Sequence, residues 1–579
     1  MSLTNAGDAL ATGPLPARGW LRQVGPGALL CALACVGYLR TGPAPFIWDD
    51  LPHIVENPKI AQPSSAWDWL WAGTQETRPL LNLSFAANRA VFGLEPGGWR
   101  ATNLALHALC AWLLWRVLRR RMPALLPDRD AVTHAAAAWL GAAWFAVHPL
   151  ATEAVTYVNS RSVVMASVAM LAAWLQLERR RVAAPGGAAW IGAVPALLLG
   201  VALLAKEMAV MLPFLIAWCD GWAPLAPSAP AAVAPTSSLG DPWRRLWLSL
   251  GQRDVRRLLL ALLVLPALHL ALRSPHAAHI GAAVGSPIDA ALAQPAILLR
   301  LLALVVFPVG QNLDHDARLF AWNGEDALGL GLSLGFWALC LGLALRLRHR
   351  WPAALVGLGG LLLAMAPTNS VVPFFDAMCE RHLYPGLWMA AFAVGPGLAT
   401  LGNWVGDSVR HLPWRPAVAM AVPAVVLTGL LTATLLRNEI WRDPVALWLD
   451  AAEKSPDKGR PAGQLGATLA RAGWLEAAQP ALERAVRLDP HVYVWRQNLG
   501  LLYRLRGGPE REIALWQARV AEAPADREAA RTLRTLRRPA VSLPRPSPDP
   551  QPVAPVEVPA PATSAAVDRP DLSGQGAAP

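Results

Sequence analysis

The chain has 579 residues, 54% of them apolar and only 16% charged, where a soluble globular chain carries about 25% charged residues. That shortfall, with 27 tryptophans, excludes an ordinary soluble globule and points to a multi-pass membrane protein with aromatic side chains at its interfaces. The net charge of +11 comes largely from arginine clusters flanking apolar runs, so it speaks for membrane topology rather than nucleic acid.

Residues 1–23 form a cytoplasmic tail without a tight basic start or an A-x-A-like cleavage site, so the first apolar run, 24–42, stays as an anchor. Further runs of near-spanning length lie at 101–118, 134–150, 160–178, 188–205, 208–222, 257–273, 328–345, 352–367, 384–402 and 416–436. The clusters Arg119-Arg120-Arg121, Arg179-Arg180-Arg181, Arg244-Arg245, Arg256-Arg257 and Arg346, Arg348, Arg350 fall in loops of one parity, which the positive-inside rule makes cytoplasmic. The run AILLRLLALVVFPVG (296–310) would invert everything after it if it crossed, so it is expected to be re-entrant or interfacial. Eleven crossings remain, with the N-terminus cytoplasmic and the C-terminus outside. Cys31, Cys35, Cys110, Cys219, Cys340 and Cys379 fall nearly all in apolar runs and are expected to pack rather than form disulfides.

The membrane domain, 24–437, gives way to a segment, 438–535, with a different pattern. Pro456, Pro490 and Pro524 are 34 residues apart, as are Gly466 and Gly500, and 34 is the period of the tetratricopeptide repeat. In the unit ending at Pro490, Gly466, Ala478 and Ala485 hold the positions where paired helices cross closely. About two to two and a half repeats result, a short α-solenoid. The Pro/Ala-rich tail, 536–579, is expected to be disordered, and a similar linker occupies 223–240 in a cytoplasmic loop.

Ionisable residues are costly at a membrane, and here they gather in the outer loops. The first outer loop (about 43–100) holds FIWDDLPHIVENP with Asp49 and Asp50, then Arg78; the next holds His148, Glu153 and Arg161. A short turn carries Lys206 and Glu207, NLDHD carries Asp314, His315 and Asp316, and DAMCERHLYP carries Glu380, Arg381 and Tyr384. Each has a structural alternative. Asp49-Asp50 could cap a juxtamembrane helix, His148-Pro149 could end a helix, and Lys206-Glu207 and Glu380-Arg381 could be plain ion pairs. Asp314, His315 and Asp316 are metal-ligand types, but three adjacent residues seldom converge on one ion. Acids beside scattered cations at an outer surface suit a reaction on a lipid phosphate: the cations hold the phosphate and a carboxylate takes the acceptor's proton. No GxxxxGK[ST], GxSxG or HExxH is present, so nucleotide, serine-hydrolase and zincin chemistry have no support.

The ordered set FIWDDLPHIVENP, TRPLLNLSFAANRAVFG, HPLATEAVTYVNSR, LAKEMAVMLP, ERHLYP and LRNEIWRDPVALWLDAAEKSPDKGR resembles the TMTC proteins (transmembrane and tetratricopeptide-repeat O-mannosyltransferases) over roughly residues 40–525. The resemblance implies an all-α membrane fold of GT-C type and transfer of a hexose from a polyprenyl phosphate to Ser or Thr hydroxyls. It makes Asp49 or Asp50 the base, and matches His148, Thr152, Glu153, Lys206, Glu207, Glu380, Arg381 and Tyr384 to the family's motifs. Arg78, Arg161, Lys206 and Arg381 are assigned the donor phosphate from charge and location, and no divalent metal is required. Ala151 departs from many eukaryotic members, which carry a second histidine there and longer repeat arrays. The composition suits a bacterial inner membrane, with site and repeats on the periplasmic face and the repeats as a surface for acceptor or partner proteins. Transfer to an envelope glycan or lipid, and a non-enzymatic membrane-anchored scaffold, are the rival readings.

Overall fold

The computed structural model describes residues 17–61, 78–183, 193–224, 240–251, 286–371 and 376–537, with isolated positions between 255 and 262 and Pro373. Most of the expected linker 223–240, most of the run 257–273 and nearly all of the tail 536–579 lie outside the described residues. Among the described residues every regular element is helical.

The longer helices of the apolar part are α1 (Ala17–Val36), α2 (Pro79–Phe92), α3 (Pro96–Leu125), α4 (Ala131–Ala146), α5 (Arg161–Ala183), α6 (Ala193–Ala205), α7 (Leu212–Trp222), α8 (Gly240–Gly251), α9 (Pro287–Val306), α10 (Gly324–Arg346), α11 (Pro352–Met365), α12 (Tyr384–Asp407) and α13 (Arg415–Trp441). Proline in the first turn starts α2, α3, α7, α9, α10's neighbour α11, α12 and α13, where its missing N–H costs nothing. Asp130 and Asn323 cap α4 and α10 by accepting the backbone N–H groups of Thr133 and Asp326. By length and composition the described helices long enough to cross a membrane are Pro96–Leu125, Val158–Arg181, Pro287–Val306, Gly324–Arg346 and Arg415–Trp441; Gly25–Val36, Ala193–Ala205 and Pro352–Met365 are apolar but shorter.

The core is built on α12, which packs between α4, α11 and α13. Its contact with α4 uses two glycines. A Cβ on Gly395 would lie 2.2 Å from the Ala137 carbonyl oxygen, and one on Gly141 would lie 2.7 Å from that of Ala391. Only hydrogen fits there, and the backbones approach as small-residue membrane contacts do. Pairing of residues near 137 with 395 and of Gly360 with Met389 runs α4 and α11 antiparallel to α12. The C-termini of α4 and α11 therefore lie at the end of the array where α12 begins.

Two expectations change. Most of the run 296–310 belongs to a continuous helix, α9, which ends at Val306 and is long enough to span. Gln294 accepts from the Asn369 amide just after α11, and the Val305 carbonyl accepts from His148 just after α4, both at 3.0 Å. These points are eleven residues, about 16 Å, apart along the helix, and between them the Pro295 carbonyl accepts from Trp337 in the middle of α10 at 2.9 Å. The second change concerns the arginine clusters. Arg121 is buried, donating to Glu178 from Nε at 2.7 Å and to Asp220 at 2.8 Å, and Arg181 also pairs with Asp220 at 2.9 Å. These arginines join helices α3, α5 and α7 as well as marking a loop.

After α13 come α14 (Pro444–Lys454), α15 (Gly459–Arg471), α16 (Leu475–Leu488) and α17 (Tyr493–Leu505). Gly466 lies against Leu482, where an added Cβ would come within 2.6 Å of Cγ, and Ala478 and Ala485 are buried. The chain divides into two compact units at Leu502–Tyr503. The second holds α18 (Pro509–Glu522) and α19 (Arg527–Arg537), with Arg504 paired to Glu512 at 2.5 Å and Arg519 to Asp526 at 2.9 Å.

Candidate active site

Asp49 and Asp50 lie between α1 and α2, and Asp50 immediately precedes a short wide turn, Leu51–Val55. They do different things. Asp50 is fully buried; its Oδ2 accepts the Ile47 N–H at 3.3 Å and its Oδ1 the Asn159 N–H at 2.8 Å. Burial pushes its carboxyl up to about 7, against these two bonds and the nearby Arg100. Asp50 therefore staples the first loop to the second. It does not cap the turn through its side chain. Asp49 is half-buried, and its backbone N–H donates to the Tyr157 hydroxyl at 3.2 Å. Trp48 just before it has φ +48°, the left-handed region that costs a bulky residue about 1–2 kcal/mol. Its ring is stacked with Tyr157 at 5.9 Å and meets Trp448 edge-on at 5.6 Å. The Arg381 and Arg460 guanidinium groups lie over it at 5.8 and 5.2 Å.

Beyond Trp48 the structure gathers cations from three loops. Arg381 pairs with buried Glu153 at 2.6 Å, donates its backbone N–H to the same carboxylate at 3.0 Å, and reaches Asp376 at 3.6 Å. Arg78 pairs with exposed Glu207 at 3.1 Å. Lys206 is only 3% exposed. Burial and then Arg78 push its ammonium down to about 7, with Arg381 adding to the effect and Glu207 opposing it. No hydrogen bond or ion pair holds that ammonium among the described residues. His382 faces the same group: burial, Lys206, Arg381 and Arg78 hold its imidazole well below its usual value, so it stays neutral. Burial raises the Glu153 carboxyl despite Arg381 beside it.

The remaining expected residues have structural work. Arg161 is fully buried. It donates to the Asn103 Oδ1 (2.6 Å), the Ser84 carbonyl and hydroxyl (3.3 Å each) and the Trp99 carbonyl (3.0 Å), over the rings of Phe85 and Trp99. With every side of its guanidinium engaged it has no face for a phosphate, and we remove it from the phosphate set. Tyr384 sits in the core, its hydroxyl 2.7 Å from His107 Nδ1. His148 has both nitrogens used: Nε2–H donates to Val305, and Nδ1 accepts the Leu150 N–H at 3.3 Å, which fixes a neutral tautomer.

Glu380 accepts from His315 (2.8 Å), the Asn312 N–H (2.6 Å) and Gln311 (3.0 Å). Burial would raise its carboxyl, but these partners, with Arg437, hold it below the usual value. Asp314 is buried against Lys458 at 2.5 Å and Arg460. The NLDHD residues thus diverge: Asp314 meets cations and His315 meets Glu380. Among the described residues no cluster of three or more His, Cys, Asp or Glu could hold a metal.

Residues the sequence did not single out complete the arrangement: Tyr157, Asn159, Asp376, His382 and Arg460; Lys458 only braces the loop of Asp314 and His315 from outside it. Arg100 also belongs here, anchoring the first loop by donating to the carbonyls of Ala44, Pro45 (2.7 Å) and Gly42 (3.4 Å). The signal for some of them was present, since Tyr157 and Asn159 lie inside HPLATEAVTYVNSR and Arg460 ends SPDKGR. The six cysteines are all free, and Cys379, outside any apolar run, donates its thiol to Glu153 at 3.6 Å.

Chemically, the arrangement offers a half-buried carboxylate next to an aromatic platform, with Arg78, Lys206, Arg381 and neutral His382 grouped together, Arg381 on Glu153 and Arg78 on Glu207. That suits an anion whose negative charge grows as a bond to it breaks.

No protein-family model matches the chain. Protein O-mannosyl-transferase Tmtc1 of Drosophila melanogaster is 33% identical over 205 residues, 34% of this chain and 22% of that protein. Tmtc2 of the same species is 34% identical over 197 residues (31% and 20%), and human TMTC1 31% over 172 residues (28% and 18%). The chain thus matches only about a fifth of the length of these curated relatives. Among solved structures, ArnT from Cupriavidus metallidurans bound to undecaprenyl phosphate aligns over 79% of this chain and 80% of that one, at 14% identity and a TM-score of 0.33, too low to carry the fold assignment.

Proposed function

We propose that the chain is a membrane glycosyltransferase that moves a hexose, mannose-like, from a polyprenyl-phosphate donor to a Ser or Thr hydroxyl of a protein. Sequence similarity to protein O-mannosyl-transferases supports the reaction class. The observation that carries it to this chain is the buried Lys206 ammonium beside Arg78, Arg381 and His382, which no carboxylate bonds among the described residues, while Arg78 pairs with Glu207 and Arg381 with Glu153 and Asp376. In this reading the acceptor oxygen attacks the anomeric carbon as the bond from that carbon to the phosphate oxygen breaks, with inversion. Asp49 accepts the hydroxyl proton. The departing lipid phosphate keeps the bonding pair and is held by Lys206, Arg78 and Arg381. Asp50, committed to two backbone N–H groups, orients the loop instead.

The same proposal assigns 24–437 to a GT-C-like catalytic membrane domain and 438–535 to tetratricopeptide repeats that present acceptor or partner proteins. It places the site and repeats on the periplasmic face of a bacterial inner membrane. The test supplies membranes holding the chain with radiolabelled polyprenyl-phosphate hexose and follows label into protein, glycan and lipid fractions. Label in protein that withstands lipid extraction supports the reading. Folded chain that transfers from no lipid-linked hexose overturns it, and label confined to glycan or lipid replaces the acceptor.

A further inference from the structure

The repeat segment reaches the acid loop through an aromatic contact from Trp448 and through one cation. Arg460, at the start of α15, lies over Trp48, and Trp48 is the residue directly before Asp49. Its guanidinium is itself fixed. Nε donates to Asp314 Oδ2 at 2.5 Å, and Nη2 bonds Asp314 Oδ1 and Asp376 Oδ1. Asp314 is held in turn by Lys458, and its loop by Glu380 through Asn312, Gln311 and His315. Asp376 also approaches Arg381 at 3.6 Å, so one carboxylate ties together both guanidinium groups that lie over Trp48.

Trp48 needs such a hold. Its left-handed backbone is a conformation that a tryptophan keeps only where its surroundings impose it. On the other side of Asp49, Asp50 is pinned by the Ile47 and Asn159 N–H groups. The direction of the Asp49 carboxylate is then set by two anchors, Asp50 from the membrane domain and the Trp48 ring. One of the two cations on that ring, Arg381, belongs to the phosphate group. The other, Arg460, serves no phosphate in the proposed site and comes from the repeat segment.

We propose that Arg460 is a positioning residue for the transfer reaction, fixing Trp48 and through it the direction in which Asp49 faces the acceptor hydroxyl; this rests on the function proposed above. Arginine suits the task because its planar group bonds two carboxylates along its edge while its face lies on an indole, which an ammonium cannot do.

The test is a double-mutant cycle in the full-length chain with Arg460→Lys and Trp48→Leu, reading kcat and the KM of each substrate. Arg460→Lys keeps the charge beside Asp314 and Asp376, so the fold is retained, and unfolding temperature in detergent checks that. We expect kcat to fall about tenfold or more with Arg460→Lys, since small misplacements of a reacting group cost about that much or more. Donor KM should stay within about twofold, because Arg78 and Lys206 are untouched. The double variant should be no worse than Trp48→Leu alone, the mark of two residues acting through one contact. Lys458→Ala, which also loses a partner of Asp314 but does not touch Trp48, should leave kcat near wild type.

Additive losses in the cycle overturn the proposal. So does a change confined to acceptor KM, which would make Arg460 an acceptor contact, and so does an equal loss of kcat with Lys458→Ala. If the wild-type chain transfers no lipid-linked hexose, the functional reading falls and takes this one with it. Transfer by wild type with an additive cycle sinks this proposal alone.

Discussion

Replacing each member of the acid pair by asparagine should break different things. Asp49→Asn removes a half-buried carboxylate that holds no backbone N–H among the described bonds, so the fold should persist. Loss of a positioned general base typically costs about 10²–10⁴ in rate, and kcat should fall by that order with an unchanged unfolding temperature. Asp50→Asn keeps one side-chain oxygen for two donors, the Ile47 and Asn159 N–H groups. One of them is left facing an NH2, a loss of about 1–3 kcal/mol, so this variant should unfold at lower temperature.

A pH series separates the two further. The Asp50 carboxyl is raised in the folded chain from 3.8 to about 7. A raised acid binds its proton more tightly folded than unfolded, so its contribution is full below about pH 4 and is lost as pH rises towards 7. Wild type and Asp49→Asn should share that decline in stability, and Asp50→Asn should lack it. The assays are hexose transfer from a radiolabelled polyprenyl-phosphate sugar and thermal unfolding in detergent from pH 4 to 8. Asp50→Asn losing transfer at full stability, with Asp49→Asn active, would exchange the two roles and refute the argument.

Lys206, depressed to about 7 by burial and Arg78, should regain its proton when an anion binds beside it. Donor binding should then take up a proton above about pH 7, measurable as a buffer-dependent binding enthalpy, and Lys206→Met should abolish the uptake and raise donor KM; uptake surviving in that variant removes Lys206 from the phosphate group. Arg161→Met should orphan the Asn103 and Trp99 oxygens at about 1–3 kcal/mol each, lowering the yield of folded chain, with donor KM unaltered in what folds; a selective rise in donor KM restores its phosphate role. Chelation with EDTA should leave the transfer rate within about twofold, because Asp314 already meets Lys458 and Arg460 and His315 meets Glu380; loss of transfer restored by one divalent ion refutes this.

What the sequence made legible follows from which forces act locally. Helices α3, α5, α10, α12 and α13 were visible as apolar runs because membrane burial acts on every residue of a span. The glycine approach of α4 to α12 was not, since Gly141 and Gly395 are 254 residues apart in sequence and single glycines carry no partner information. Helix α9 shows the same: its apolar composition was legible, but its partners, Asn369, Trp337 and His148, lie far away in sequence.

At the site, residue type predicted chemistry but not commitment. Arg161 and Arg381 looked alike in sequence, each an arginine in a polar outer loop. They differ because Arg161 has oxygen acceptors on all its edges, whereas Arg381 has the carboxylates of Glu153 and Asp376 and an aromatic face beside a cation group. The adjacent acids separate for the same reason. Asp50 found two backbone donors from different loops and became buried; Asp49 stayed half-buried, with its backbone N–H on the Tyr157 hydroxyl. The backbone donors of Ile47 and Asn159 are therefore what turn an acid pair into one loop anchor and one available carboxylate, beside a Trp48 held in a left-handed conformation. That conformation is maintained by contacts from residues 157, 381, 448 and 460, none of which is near Trp48 in sequence.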